Sequence, residues 1–193
     1  EEITSSNDYA AEAAKKGADD GLVIWALRQT KGRGQKNRAW ESQPQSSLTF
    51  SVLFRLKPEE YAVLGRFTAL GALAVARALK SLAGVEALVK WPNDVLLNGR
   101  KICGVLAEAD VQAGAAGSVV VGVGINLLPG AFDTSSAMNF PASDVFTETS
   151  VKVNAENWLW RVLGEMNALR SLLVEEDFTR EWNEHLAFRG ELR

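Results

Sequence analysis

Two glycines, several cations and a tryptophan stand within nine residues at Gly32-Arg33-Gly34-Gln35-Lys36-Asn37-Arg38-Ala39-Trp40. Glycine lets backbone amides approach an anion closely, cationic side chains supply charge, and an indole can pack on an aromatic base or anchor the loop. From Arg28 to Trp40 the chain carries Arg28, Lys31, Arg33, Lys36 and Arg38 without one acid, so a local anion site survives an acidic average. The segment lacks the Gly-Lys-Ser/Thr ending of a P-loop and the third glycine of a dinucleotide fingerprint. Taken alone, it also reads as a solvated basic loop.

A second group is Lys90-Trp91-Pro92-Asn93-Asp94, followed by Lys101-Ile102-Cys103-Gly104-Val105-Leu106. Proline removes a ladder donor and sets a bend, which presents Lys90, Asn93 and Asp94 from a distorted strand end. Asn98-Gly99 is a strong two-residue hairpin signal that returns Lys101 towards that end. A lysine and a carboxylate on neighbouring strands also make an ordinary surface ion pair. The third group, Gly122-Val123-Gly124-Ile125-Asn126, closes a strand with glycines and an amide, and alone reads equally as a turn.

The elements that must position these groups are legible from periodicity. Asn7 is the expected cap for an Ala-rich helix over 8–16 that Gly17 ends, and strands are expected over 22–27 and 47–56. Apolar residues recur at helical spacing from Glu59 to Leu82 behind Pro58. Short strands over 86–90 and 95–97 precede a hairpin partner over 101–109. A turn at 113–117 and a strand over 118–123 complete a meander. Residues 128–150 read as irregular chain, with helices over 155–173 and 176–186. Trp158, Trp160 and Trp182 fall on helical segments and read as packing, and His185 as incidental. The order predicts an α+β fold, a largely antiparallel or mixed sheet with helices on one face.

Composition limits the chemistry. With 193 residues and 47% hydrophobic content, the chain can fill one sizeable core. A net charge of −3 argues against duplex nucleic acid as a partner and, with the basic cluster, points to a small anionic ligand. A single cysteine, Cys103, excludes an internal disulfide, and a single histidine leaves no Cys/His zinc set. No apolar stretch approaches the roughly 20 residues of a membrane span. The cytoplasm is the expected compartment.

Ser5-Ser6-Asn7, Gln29, Gly32 to Trp40, Lys90 to Asp94, Lys101 to Leu106 and Gly122 to Asn126 occur together and in order. As a set they resemble the biotin protein ligase family, from the first residues to about Asn126. The resemblance implies the fold shared with lipoate ligases, ATP and magnesium as cofactors, and a biotin carboxyl carrier domain as partner. The implied reaction activates biotin to biotinyl-5'-AMP and transfers it to a carrier lysine. By position, biotin binding falls to Ser5, Ser6, Asn7, Gln29, Arg33, Gly34, Gln35, Lys101 and Gly104. ATP binding falls to Arg33, Arg38, Trp40, Lys90, Asn93 and Asn126, with magnesium arriving on ATP near Asn93 and no protein metal ligand assigned. Arg33, Lys101, Lys90 and Asp94 are the implied catalytic residues, with Asp94 either serving the incoming lysine or capping the strand turn.

Two positions depart from the family pattern. Gln35 stands where many members have arginine, and Asn37 where glycine is usual. The alternatives to a ligase are a lipoate or octanoate transferase of the same fold and a non-catalytic biotin-binding regulatory module. The lipoate and octanoate enzymes favour a glycine-rich motif with a histidine, which this chain lacks. A catalytic domain is expected over 1–186, with 187–193 as the start of a truncated small β-barrel. Neither an N-terminal DNA-binding domain nor a membrane or nucleic-acid partner is expected, and a homodimer is left open.

Overall fold

A computed structural model describes residues 2–35, 38–41, 43–111, 117–132 and 141–188 of the chain. Its strands are β1 (Glu2–Ile3), β2 (Val23–Ala26), β3 (Arg28–Gln29), β4 (Ser47–Arg55), β5 (Leu88–Lys90), β6 (Asp94–Leu97), β7 (Arg100–Asp110) and β8 (Ser118–Asn126). Its α-helices are α1 (Ser6–Lys15), α2 (Arg66–Ala83), α3 (Val145–Thr149), α4 (Ala155–Arg170) and α5 (Glu176–His185). Six strands form one sheet in the order β2-β4-β8-β7-β6-β5, every neighbouring pair antiparallel. The only parallel ladder among the described strands is the separate pair β1-β3.

The central strands are buried on both faces, and alternation sorts their side chains. On β4, Leu48, Phe50, Val52 and Phe54 join the large core under α2, α4 and α5, whereas Ser47, Thr49, Ser51 and Leu53 face the other way. On β8, Val121, Val123 and Ile125 enter the large core, and Gly122, Gly124 and Asn126 face the opposite side. There α1 lies on the sheet over a second, small core of Ala10, Ala14, Leu53 and Val120. The helices therefore occupy both faces, not one. An Ala-rich helix can lie close to strands through small contacts, which the apolar content of its sequence does not advertise.

Other boundaries differ locally. Ser5 rather than Asn7 caps α1, with extended backbone and its hydroxyl receiving the Asp8 N–H, and Asn7 sits inside the first turn. The long helical pattern divides into a 3₁₀ segment, Pro58–Val63, and then α2, with Gly65 at the join. Residues 128–150 contain the short helix α3, capped by Asp144. Trp158 is buried and Trp182 packs on the core, but Trp160 is 65% exposed and does not serve packing. The hairpin forms at Asn98-Gly99, both residues at positive φ (50° and 74°). Lys36 and Asn37, most of the turn at 113–117, and 189–193 of the expected barrel start lie outside the described residues. Ahead of the last of these, Leu186 bridges Val89 and the Ala187 N–H donates to the Val89 carbonyl, so this segment continues along the β5 edge.

A charged group ties the large core to the sheet. Arg170, at the end of α4, donates to both oxygens of Glu60 (2.9 and 3.1 Å), to Asp20 (2.7 Å) and to the Arg55 carbonyl (2.5 Å). Its guanidinium also stands over the Phe54 ring.

Candidate active site

The start of α1, two loop regions and the polar face of the sheet enclose a cleft of about 630 Å³. Its floor is cross-strand backbone. Gly104, Gly124 and Thr49 stand in one row across β7, β8 and β4, and Leu106, Gly122 and Ser51 in the next. The glycines are required by close approach. A Cβ on Gly124 would stand 2.2 Å from the Trp40 indole, and one on Gly122 would stand 2.2 Å from Asn7 Oδ1. Any side chain there would push out the group that covers it.

The first wall is the start of α1. Ser5, Ser6 and Asn7 are all buried. The Ser6 N–H donates to Gln29 Oε1 at 2.6 Å, which links α1 to β3. Ser51 lies 2.7 Å from the Ser6 hydroxyl and 2.6 Å from Asn7 Oδ1, which accepts its proton. The Asn7 amide nitrogen donates to Glu108 (2.7 Å) and the Leu106 carbonyl (3.4 Å). Both ends of the Asn7 amide are thus engaged within the protein.

The second wall is the glycine loop. Its ends are closed by a bridge between Arg33 and Ala39, by the Gly34 N–H on the Arg38 carbonyl, and by the Trp40 N–H on the Gly32 carbonyl. Gly34, Gln35, Arg38 and Trp40 line the cleft. The Arg33 guanidinium is held by Asp8 (2.7 Å) and Glu108 (2.8 Å), so two carboxylates share one cation beside the proposed anion position. Arg33 therefore anchors the loop to α1 and β7 in this structure, and its positive charge is already offset.

The third wall is the hairpin region. Lys101 Nζ pairs with Asp94 Oδ1 at 2.6 Å, and Lys90 Nζ lies 3.9 Å from Oδ2 of the same carboxylate. Lys101 is fixed at its backbone by Pro141 and Ser143, and its ammonium lies 5.9 Å from the centre of the Trp40 ring. The Trp91-Pro92 peptide is cis. The Asn93 amide donates to the Val105 carbonyl and that of Asn126 to the Ser143 carbonyl, and both residues line the cleft. Below the floor, burial pushes the Cys103 thiol well above its ordinary range, so it stays protonated and unreactive.

All fifteen residues assigned a role from sequence line this one cleft. Residues 1–126 match the family model of the biotin/lipoate A/B protein ligase family. The chain belongs to that family. It is 36% identical over 126 residues to the bifunctional ligase/repressor of Bacillus spizizenii, a match covering 65% of this chain and 38% of that protein. It is 32% identical over 161 residues to the biotin–[acetyl-CoA-carboxylase] ligase of Paracoccus denitrificans, covering 81% of this chain and 65% of that one. The match thus spans well under half of the Bacillus relative's length. Among solved structures, biotin protein ligase from Aquifex aeolicus in complex with biotin and ATP superposes with a TM-score of 0.81 at 27% identity. That match covers 99% of this chain and 78% of the other. The fold is that of the biotin protein ligases.

Sequence reasoning missed Asp8, Glu108, Ser51 and Thr49. Glu108 carried a signal, being an acid on the face that Gly104 and Leu106 share within the otherwise uncharged run 102–109, while Ser47, Thr49 and Ser51 alternate on β4. Asp8 carried none beyond an acid in a first turn, where the helix dipole alone accounts for it.

Proposed function

We propose that this chain activates biotin with ATP, forming biotinyl-5'-AMP and pyrophosphate, and transfers biotin to a lysine of a biotin carboxyl carrier domain. The observation that carries this reading is the convergence of the glycine loop, the Lys101–Asp94–Lys90 group and the glycine floor on which Trp40 and Asn7 rest, all on one cleft. Its volume lies within the usual range for a small-molecule site. The biotin carboxylate attacks the α-phosphorus of ATP, the bond to the pyrophosphate oxygen breaks, and the carrier amine later displaces AMP from the acyl carbon. Lys101 faces the charge that develops in the first step.

Ser5, Ser6 and Gln29 shape the acyl end with Asn7, which acts through its hold on Glu108 and Ser51. Lys90, Asn93, Asn126, Arg38 and Trp40 are assigned to the nucleotide. Asp94 has both oxygens near cations, which suits it to steer the lysines before the reaction and to meet the incoming amine during transfer. Magnesium would be bound together with the ATP phosphates and would offset their charge. It takes oxygen ligands, and no group of three His, Cys, Asp or Glu side chains among the described residues is gathered to hold it. The Asn93 amide oxygen is the candidate protein contact. The domain proposed for this chemistry is 1–186, in the cytoplasm. No helix of the described residues is long and apolar enough to cross a membrane.

The test is pyrophosphate release from the chain with biotin and ATP. Release that depends on both supports a ligase. Biotin binding without release identifies a binding module, and activation of lipoate or octanoate in preference to biotin identifies the related transferases.

Gln35 lines the cleft with a neutral amide where an arginine would offer charge-assisted hydrogen bonds, about twice as strong. A difference of about 1 kcal/mol predicts biotinyl-adenylate dissociating roughly five-fold faster from this chain than from its Gln35→Arg variant. A chase of preformed adenylate measures both rates. Equal rates would show that other loop residues already hold the phosphate.

A further inference from the structure

Two buried polar atoms of the cleft have no hydrogen-bond partner among the described residues: the indole Nε1 of Trp40 and the hydroxyl Oγ1 of Thr49. Leaving a buried donor or hydroxyl unpaired is unfavourable, so such atoms mark places that a ligand or an ordered water completes. Thr49 is 4% exposed and lines the cleft, yet β4 belongs to none of the motif segments that assign the site. Both residues stand against Gly124. Thr49 is the register partner of Gly124, and a Cβ on Gly124 would stand 2.6 Å from Trp40 Nε1. Directly opposed residues have their Cβ atoms only about 4.5–5.5 Å apart, so the indole N–H and the hydroxyl lie over the same patch of floor.

A cation stands on the other side of that patch. Lys101 Nζ would be 3.4 Å from a Cβ on Gly104, the opposite neighbour of Gly124 in the row. Two neutral donors and the Asp94-paired ammonium, gathered where the Trp40 ring lies on the glycine backbone, suit one oxygen acceptor that carries negative charge. Position along the strands narrows its source. Ser51 and Gly122, under Asn7, lie one step away towards the acyl end, and Ser47 and Asn126 lie one step the other way, towards the proposed nucleotide end. Thr49 stands where the two substrates meet.

The geometry points to Thr49 as a specificity-determining residue whose hydroxyl, with the Trp40 N–H, receives a carboxylate oxygen of the acyl substrate opposite Lys101. This inference rests on the reading of the cleft as a biotin site. Thr49→Val keeps the side-chain shape and removes only the hydroxyl, and Thr49→Ser restores it. Calorimetric titration of the full chain with biotin and, separately, with ATP should show biotin binding about ten-fold weaker in Thr49→Val. ATP binding should be unchanged and Thr49→Ser should bind biotin within a few-fold of the unaltered chain. The ligand-free thermal midpoint of Thr49→Val should stay level or rise, because an unpaired buried hydroxyl is gone. A purely structural hydroxyl would instead lower that midpoint, and this result overturns the inference. Equal biotin affinity in Thr49→Val and the unaltered chain assigns the hydroxyl to water and overturns it too, as does a loss confined to ATP. Failure of the unaltered chain to bind biotin overturns the reading of the cleft, and the inference with it.

Discussion

Lys101→Ala is expected to slow biotin-dependent pyrophosphate release roughly 10²–10³-fold while changing biotin affinity only a few-fold. The size follows from where the ammonium stands before reaction. Backbone bonds to Pro141 and Ser143 fix Lys101, Asp94 holds its Nζ at 2.6 Å, and its side chain is 26% exposed. A cation already in place needs no reorganisation when negative charge moves onto the leaving pyrophosphate, and partial burial strengthens its effect. Lys90 is held less closely, its side chain 36% exposed and its Nζ 3.9 Å from the other Asp94 oxygen. Arg33 does not replace it either, being shared by Asp8 and Glu108. Single-turnover kinetics beside equilibrium biotin titration separates the two effects. A rate within a few-fold of the unaltered chain would remove Lys101 from the chemical step, and matching losses in rate and affinity would make it a ground-state contact.

The largest expected effect on stability comes from Arg170→Ala, at about 3–5 kcal/mol of unfolding free energy. Marginal stability makes that a large share of the total. Arg170 and Glu60 side chains are 9% and 3% exposed, so the truncation leaves a buried carboxylate without its cation and the Arg55 carbonyl without a donor. Burial pushes the Glu60 carboxyl up, but the hydrogen bond from Arg170, the Lys57 backbone N–H and both their charges bring it below the ordinary range. The sign of the pH dependence follows. A depressed folded-state pKa contributes stability that is present above the unfolded value of 4.5 and lost as pH falls through the folded value. Without Arg170 only burial and the Lys57 contacts remain, so protonation costs the variant less. Urea titrations should therefore show the gap between the two proteins narrowing below about pH 5. A gap that stays constant with pH would place the loss in packing against Phe54 rather than in the ion pair.

Local sequence carried the hairpin at Asn98-Gly99, the strand limits of β4 to within a residue and the assembly of the cleft, because each depends on near neighbours or on a motif with its own geometry, whereas β8 runs on through Asn126, past the expected end at 123. What sequence did not carry was partnership across distance. Glu108 meets Arg33 from 75 positions away, and no periodicity links them. Asn7 and Ser5 are both good capping residues, and the register of α1 on the sheet decided between them: Asn7 is drawn under the helix by Ser51 and Glu108, leaving Ser5 at the cap. The position of α1 was hidden for a similar reason. Alanines at 10 and 14 have helical spacing but too little apolar area to specify a face, and only the outward Leu53 and Val120 of the sheet complete it.

That second core has an energetic consequence. The sheet divides the molecule into two layers of unequal cohesion, a thick one under α2, α4 and α5 and a thin one under α1. Cooperative units open with free energies set by the apolar contacts they must break, so the thin layer can separate at a fraction of the cost of global unfolding. The cleft lies in that layer, its walls joined by hydrogen bonds and by the Asp8–Arg33–Glu108 ion pairs. A substrate that bridges floor and wall therefore adds its binding energy to the weaker layer alone, raising the opening cost of the catalytic half while the supporting half keeps the stability it already has.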